Sequence, residues 1–124
     1  MQHRISRLVL LTVAAAVPLV TAAAPAEAAT GYARCPSGYF CVFADANGGG
    51  TIAYFHHGSP DLRQQGIDNT VSSVWDRSAG TFALCDRYGY AGNLVDVFSG
   101  AKSNLDAGEN NRASSVAPNA HGCN

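Results

Sequence analysis

The chain has 124 residues, of which 47% are hydrophobic and 14% are charged, and its formal net charge is −1. This length suits one small domain, and the charge balance lacks the basic excess that attracts nucleic acid or anionic membranes. We therefore expect neither nucleic acid nor a membrane as a partner of the folded domain.

The first 28 residues have the pattern of a secretory signal peptide. It begins with two basic residues, Arg4 and Arg7, and continues with an apolar run, Leu8–Val20. A small-x-small cleavage site follows at Ala26–Ala28. The alternative is a membrane-spanning helix, but Pro18 and the small residues after it fit a removed segment better. We predict cleavage after Ala28, which leaves one exported domain at residues 29–124 and a secreted, extracellular protein.

The predicted domain holds six of the eight basic residues and eight of the nine acidic residues, so its net charge is near −2. It also holds all four cysteines. An even number of cysteines in a short exported chain favours disulfide bonds, and four cysteines allow three pairings. We favour Cys35–Cys41, because Pro36 can help to turn the short segment between them, together with Cys85–Cys123, which ties the C-terminal tail to the domain.

A zinc site built from cysteine and histidine is the alternative to disulfide bonds. The cysteines lack the paired C-x-x-C spacing of such sites, and the adjacent His56 and His57 cannot easily chelate one ion together. The sequence therefore favours disulfides, with the two histidines in a surface loop that carries a pH-sensitive charge.

Six short runs rich in β-branched and aromatic residues predict strands, since turn residues bound each of them. In chain order they are 39–44, 51–55, 71–76, 81–85, 93–98 and 113–117. Segment 60–66 predicts one turn of helix, and no run sustains a helical period over three turns. Trp75, the only tryptophan, is predicted to pack in the core.

The last three runs repeat the first three at an offset of 42 residues. Gly50 aligns with Gly92 and Val74 aligns with Val116, which indicates an internal duplication. The copies, at about 39–76 and 81–118, are too few for a solenoid, so we expect them to pack together as halves of one domain. Each glycine follows the first strand of its copy and should adopt a backbone conformation that a residue with a Cβ tolerates poorly.

The repeat includes an oxygen-rich hexapeptide, DNTVSS at 68–73 and NNRASS at 110–115. Each has two Asp or Asn residues, two variable residues and two serines. Carboxylate, amide, hydroxyl and carbonyl oxygens are the ligands that Ca²⁺ takes. A lone segment of this kind is usually a turn, because these side chains mimic turn hydrogen bonds, but repetition in register favours a pair of cation sites.

These features resemble the βγ-crystallin family, whose turns have the pattern aromatic-x-x-x-x-aromatic-x-Gly and precede a serine-bearing strand. The first copy has Phe43 as its first aromatic, but Gly48 stands at the second aromatic position. The second copy has Tyr90, but Cys85 stands at the first aromatic position. The resemblance covers about 39–117 and implies an all-β sandwich of two Greek-key motifs, here stapled by disulfides.

In that family, the pattern Asn/Asp-Asn/Asp-x-x-Ser/Thr-Ser is a calcium clamp, and both hexapeptides match it. The resemblance implies calcium ligands from both hexapeptides, completed by two loop carbonyls: Asp68, Asn69, Thr70, Ser72, Asn110, Asn111, Arg112, Ser114, Ala44 and Asp86. Ser73 and Ser115 would instead hydrogen-bond the folded hairpins. We expect weak affinity and a weaker second site, because Asp68 alone among the four leading residues is charged.

The signal pattern and the opening CPSGYFCVF at 35–43 are similar to a bacterial secreted peptidase-inhibitor family built on this fold. Members of that family include inhibitors of thermolysin-type metalloproteinases. The resemblance implies an inhibitor of a secreted metalloproteinase, and we expect the domain to be a monomer. The alternative is a calcium-binding structural or envelope module with no protease target.

The sequence gives no support to an enzymatic function. Serine, histidine and aspartate are present, but their spacing does not indicate a catalytic triad. No residues match an inhibitory motif either, so the sequence does not place an inhibitory loop.

Overall fold

The computed structural model describes residues 28–124, so the predicted signal peptide up to Glu27 lies outside the described residues. The described part contains seven strands: β1 (Phe40–Phe43), β2 (Ile52–Phe55), β3 (Ser73–Asp76), β4 (Phe82–Arg87), β5 (Ala91–Val97), β6 (Lys102–Asn104) and β7 (Ser115–Ala117). Within it, no helix is long and apolar enough to cross a membrane.

The strands form two antiparallel sheets, with orders β2-β1-β3-β6 and β5-β4-β7. Strands β1, β2 and β3 of the first half correspond to β4, β5 and β7 of the second. Strand β6 leaves the second half and pairs with β3, while Ser59 of the first half forms a bridge to Val116 of β7. The halves therefore exchange backbone pairing, and the expected all-β sandwich is confirmed.

The space between the sheets is filled by alternate residues of the strands, because successive side chains point to opposite faces. Phe40 of β1 stacks on Phe82 of β4 with ring centroids 4.8 Å apart, and these two residues are separated by the repeat offset. Val42 and Leu84 continue the contact two residues further along each strand, and both are fully buried. The core thus joins the two halves rather than filling either one.

The outer faces of β1 and β4 are also buried, and one disulfide covers each face. Cys35–Cys41 packs with Phe43 on the first sheet, and Cys85–Cys123 packs with Ala83 on the second. Both predicted pairings are confirmed, and all four cysteines are in disulfide bonds. The chain segments at the two ends of the domain therefore act as covers for the two sheets.

At the two positions where the chain lacks an aromatic residue of the crystallin turn pattern, other parts of the chain fill the space. Gly48 has φ +71°, and a Cβ there would lie 2.4 Å from the backbone nitrogen of Tyr32. The ring of Tyr32 instead packs edge-on against Phe43, with centroids 5.3 Å apart. In the second copy, Cys85 bonds Cys123, and Tyr90 packs against this cluster.

The predicted turn glycines and helical turn are confirmed. Gly50 and Gly92 have φ values of +67° and +75°, in the left-handed region that favours glycine. A 3-10 helix spans Leu62–Gln65, and the side chain of Asp61 accepts a hydrogen bond from the Arg63 N–H at its start. The arginine side chain also lowers the pKa of Asp61.

Two features differ from the sequence prediction. Strand β6 was not predicted, because its three residues are exposed and polar and so give no hydrophobic alternation. Trp75 does not lie in the core between the sheets. It is half-buried on the outer face, with Arg77 and Lys102 lying 4.7 and 4.9 Å from its ring.

We predict that the two disulfides stabilise the domain unequally. They close loops with sequence separations of 6 and 38 residues. In the chain-entropy model, these correspond to about 2 and about 4 kcal/mol. Urea unfolding of Cys35→Ala/Cys41→Ala and of Cys85→Ala/Cys123→Ala should therefore show the larger loss of unfolding free energy for the second pair. Equal losses, or the reverse order, would contradict this account.

Candidate functional site

The two hexapeptides lie side by side and are hydrogen-bonded to each other. The Asn69 N–H donates to the Ala113 carbonyl at 3.0 Å, and the Asn111 N–H donates to the Val71 carbonyl at 3.0 Å. Both asparagines have positive φ, +54° and +60°, a conformation that asparagine tolerates better than most residues. The same reciprocal geometry thus occurs twice.

The side-chain oxygens pair crosswise between the hexapeptides. The Ser72 hydroxyl donates to Asn111 Oδ1 at 3.1 Å, and the Ser114 hydroxyl donates to Asn69 Oδ1 at 3.3 Å. Each pair therefore combines the hydroxyl of one copy with the amide of the other. The sequence could name these four residues but could not show which of them share a position in space.

Backbone hydrogen bonds place Ser72 and Ser114 beside the loops whose carbonyls are predicted as calcium ligands. The Ser72 N–H donates to the Phe43 carbonyl, next to Ala44, and the Ser114 N–H donates to the Cys85 carbonyl, next to Asp86. Both distances are 2.8 Å. We therefore group the predicted ligands into two oxygen sets, which we call the Ser72 set (the Ala44 and Thr70 carbonyls, Ser72 and Asn111) and the Ser114 set (Asn69, the Asp86 and Arg112 carbonyls, and Ser114).

Asp68 lies against the turn of the second copy. One of its carboxylate oxygens accepts hydrogen bonds from the Tyr88 hydroxyl at 2.6 Å and from the Asn69 amide at 3.3 Å. This contact with the carboxylate raises the pKa of Tyr88. The other oxygen, Oδ1, is buried and has no hydrogen-bond partner among the described residues. A buried carboxylate oxygen without a partner costs free energy, so this atom suits a cation.

The Ser114 set also contains an ion pair. Arg112 donates to both carboxylate oxygens of Asp86, at 3.2 and 2.9 Å, and to the Gly108 carbonyl at 2.7 Å. The Arg112 side chain is 51% exposed, so the pair contributes about 1 kcal/mol or less. Asn110, the first residue of the second hexapeptide, donates its N–H to the Asp106 carbonyl at 2.9 Å.

The last serine of each hexapeptide has the structural role predicted for it. The buried Ser73 hydroxyl donates to the Asp45 carbonyl at 2.7 Å and accepts from the Gly48 N–H at 2.9 Å. The Ser115 hydroxyl donates to the Arg87 carbonyl at 2.6 Å and accepts from the Tyr90 N–H at 3.1 Å. Each serine therefore holds the folded turn of its own half in place.

The described residues contain no group of three or more His, Cys, Asp or Glu that could hold a metal ion. The oxygen sets above are instead built from amides, hydroxyls and carbonyls around a few carboxylates. Such a donor set suits a hard cation such as Ca²⁺ better than Zn²⁺, which takes nitrogen and sulfur ligands. His56 and His57 are both exposed, and His56 stacks on Tyr39 with ring centroids 3.7 Å apart.

Sequence reasoning missed Tyr88 as the partner of Asp68. The two residues are 20 positions apart in the chain, and no pattern in the sequence links them. The available signal was the position of a tyrosine at the tip of the turn in the second copy, where a hydroxyl can reach a neighbouring loop.

Solved structures show that this architecture is a βγ-crystallin fold. A βγ-crystallin from Ciona intestinalis matches with a TM-score of 0.58 and 24% identity, over 64% of this chain and 98% of that chain. A βγ-crystallin domain from Clostridium beijerinckii matches with a TM-score of 0.57 and 18% identity, over 64% and 94%. The N-terminal domain of Protein S gives 0.55 and 25%, over 64% and 92%.

The fold and its two disulfides define a disulfide-stapled βγ-crystallin-type domain. Residues 28–98 match the model of peptidase inhibitor family I36, and the chain belongs to that family. Membership makes it a peptidase-inhibitor domain and not an enzyme. No curated protein matches the chain significantly.

We predict that the two serines of the first hexapeptide have different effects on stability in calcium-free buffer. Ser73→Ala should lower the free energy of unfolding by about 2–3 kcal/mol, because it leaves the buried Gly48 N–H and the partly buried Asp45 carbonyl without their partner. Ser72→Ala, which removes longer contacts at the surface, should cost less than about 1 kcal/mol. Chemical denaturation measures both, and equal losses would show that Ser73 does not hold the turn.

Proposed function

We propose that the protein is a secreted inhibitor of a thermolysin-type metalloproteinase. The observation that carries the proposal is the match of residues 28–98 to peptidase inhibitor family I36. The metalloproteinase class rests on the resemblance of CPSGYFCVF to inhibitors of such enzymes. Export rests on the signal-peptide pattern that precedes residue 29, and an extracellular location suits disulfide bonds.

The scaffold has the rigidity that an inhibitor requires. An inhibitor must occupy the active-site cleft without unfolding into it, since an unfolded segment is cleaved as a substrate. Here a joint core holds the two halves together, and disulfides fix the covers of both sheets. Such preorganisation reduces the conformational entropy lost on binding and so favours affinity.

We predict that the purified protein blocks thermolysin without being degraded. Residual protease activity should fall as inhibitor concentration rises, and electrophoresis should show an intact inhibitor. The variant Cys85→Ala/Cys123→Ala provides a control, because a less stable domain opens more often and should be cleaved. No loss of activity across a panel of metallo- and serine proteinases would instead favour a structural or envelope module.

The protein is also proposed to bind calcium at the two oxygen sets. The supporting observation is the buried Oδ1 of Asp68, which lacks a partner, beside paired amide and hydroxyl oxygens. Calcium takes six to eight oxygen ligands, and the two sets together with Asp68, Asn110 and water offer this chemistry. With few carboxylates, we expect dissociation constants near ~10⁻⁴ M or weaker.

The side-chain contacts change the expected order of affinity. Asp68 belongs to the first hexapeptide, but its contacts with Asn69 and Tyr88 place it near the Ser114 set. More carboxylate charge favours tighter calcium binding. We therefore expect the Ser114 set to bind more tightly than the Ser72 set, although the sequence alone favoured the reverse.

We predict that about 1 mM calcium raises the thermal midpoint. A site with a dissociation constant of ~10⁻⁴ M would add about 1.4 kcal/mol, or a shift of roughly 5–10 °C. Ser114→Ala should reduce this shift more than Ser72→Ala does, while Ser73→Ala should lower the midpoint with or without calcium. A calorimetric titration without heat, joined to an unchanged midpoint at about 10 mM calcium, would contradict calcium binding.

A further inference from the structure

One large apolar side chain, Phe98, is exposed at a turn between two strands. Phe98 lies directly after β5, in the turn Phe98–Ala101 that leads to β6, and 61% of its surface is exposed. Two other large hydrophobic residues of the described part are exposed, Tyr54 at 50% and Tyr88 at 42%. Scattered apolar residues are normal at protein surfaces, so the surroundings of each must decide whether it suits binding.

Tyr54 and Tyr88 already have partners within the domain. The Tyr88 ring is covered by the Arg63 guanidinium at 4.1 Å, and its hydroxyl is bound to Asp68. Tyr54 lies within strand β2 and packs edge-on against Tyr39, with centroids 5.1 Å apart. Phe98 makes no aromatic or cation–π contact with any residue in the part of the chain that the structure describes, so its ring is free to bind elsewhere.

The turn that carries Phe98 is held firmly. The Ala101 N–H donates to the Phe98 carbonyl at 2.9 Å and closes the turn. The Gly100 N–H donates to the Asp76 carbonyl at 2.8 Å, and the Asp76 N–H donates to the Ala101 carbonyl at 2.9 Å. The Ser99 hydroxyl donates to the Ser78 carbonyl. Four hydrogen bonds therefore fix the turn, three of them to the segment Asp76–Ser78.

That supporting segment is itself anchored by a buried side chain. Asp76 is fully buried, and its carboxylate accepts hydrogen bonds from both the N–H and the hydroxyl of Ser78. Burial raises the pKa of Asp76. Because β3 ends at Asp76, the turn is built on the end of the sheet rather than on another loop.

An open cleft of about 280 Å³ adjoins the turn. Its lining includes Trp75 of β3, Arg77 just after that strand, and Ser99 and Gly100 of the turn. The protein thus presents a protruding apolar ring next to a concave surface of mixed polarity. This combination fits a partner that has a deep apolar pocket beside a raised edge, as a protease has at its substrate cleft.

We propose that the turn Phe98–Ala101 is the inhibitory segment and that Phe98 fills the target protease's pocket for a large apolar side chain. The assignment rests on the inhibitor function proposed above. Burial of the ring removes apolar area from water, and the fixed turn keeps the entropy loss small. The same hydrogen bonds hold the segment in a closed turn, which resists the extended conformation that hydrolysis requires. Binding is non-covalent.

The inhibition constant against thermolysin tests the assignment. Phe98→Ala should weaken inhibition at least about 30-fold, as loss of a buried aromatic anchor does at other interfaces. Phe98→Leu keeps a large apolar side chain and should retain most of the inhibition. Tyr54→Ala, a matched control at another exposed aromatic, should change the constant less than about 3-fold. Thermal melts of all three variants verify that each one is folded.

The outcomes distinguish a failure of the turn assignment alone from a failure of the inhibitor function. If the unaltered protein inhibits thermolysin and Phe98→Ala inhibits equally well, the turn assignment is wrong and the inhibitor function stands. If Tyr54→Ala abolishes inhibition instead, the binding surface lies on β2. If the unaltered protein does not inhibit thermolysin, the proposed target class fails, and the turn assignment fails with it.

A second variant tests the rigidity of the turn. Ser99→Ala removes the hydrogen bond to the Ser78 carbonyl, so the turn should open more often and become a slow substrate. Mass spectrometry after incubation with thermolysin should then find cleavage between residues 97 and 101. Cleavage confined to any other loop would identify a different inhibitory segment and overturn the proposal.

Discussion

The two halves of the domain depend on each other because each half completes the backbone pairing of the other. Strand β6 crosses from the second half to β3, and Ser59 crosses in the opposite direction to β7. The stacked pair Phe40 and Phe82 lies between the sheets. Neither half has a closed core by itself, since the inner face of each sheet is covered by the other. A single joint core follows from this arrangement.

The same exchange brings the functional loops together. The hexapeptides are 42 residues apart in the chain, yet reciprocal bonds from Asn69 and Asn111 hold them side by side. Within each hexapeptide, neighbouring serines point to opposite faces of the chain, so they have different surroundings. Ser73 and Ser115 hold the turns, while Ser72 and Ser114 meet the amides of the opposite copy. One short motif thus serves both folding and oxygen-ligand presentation.

The ends of the described chain replace what the repeat lacks. The first copy has Gly48 where the family pattern has an aromatic residue, and the ring of Tyr32 packs at that place from outside the repeat. The second copy has Cys85 in place of an aromatic, and its bond to Cys123 brings the tail over the sheet. Both substitutions cover the outer face of a sheet with a segment fixed by a disulfide. The cover over the first sheet, together with the core on the other face, explains why β1 is buried along its whole length.

The sequence by itself determined the features that depend on local chemistry. The even cysteine count predicted the disulfides, β-branched and aromatic runs predicted six of the strands, and the turn positions of Gly50 and Gly92 predicted their left-handed backbone. Ser73 and Ser115 could also be assigned from the sequence, through the resemblance to a known family, because their role belongs to a repeated local motif.

Tertiary structure alone decided which distant residues meet. Strand β6 is polar and exposed, so only pairing with β3 makes it a strand. The position of Trp75 on the outer face depends on which face of β3 meets the other sheet, and the contact of Asp68 with Tyr88 depends on the packing of the two halves. The exposure of Phe98 has the same cause, because only the path of the turn after β5 leaves its ring in solvent.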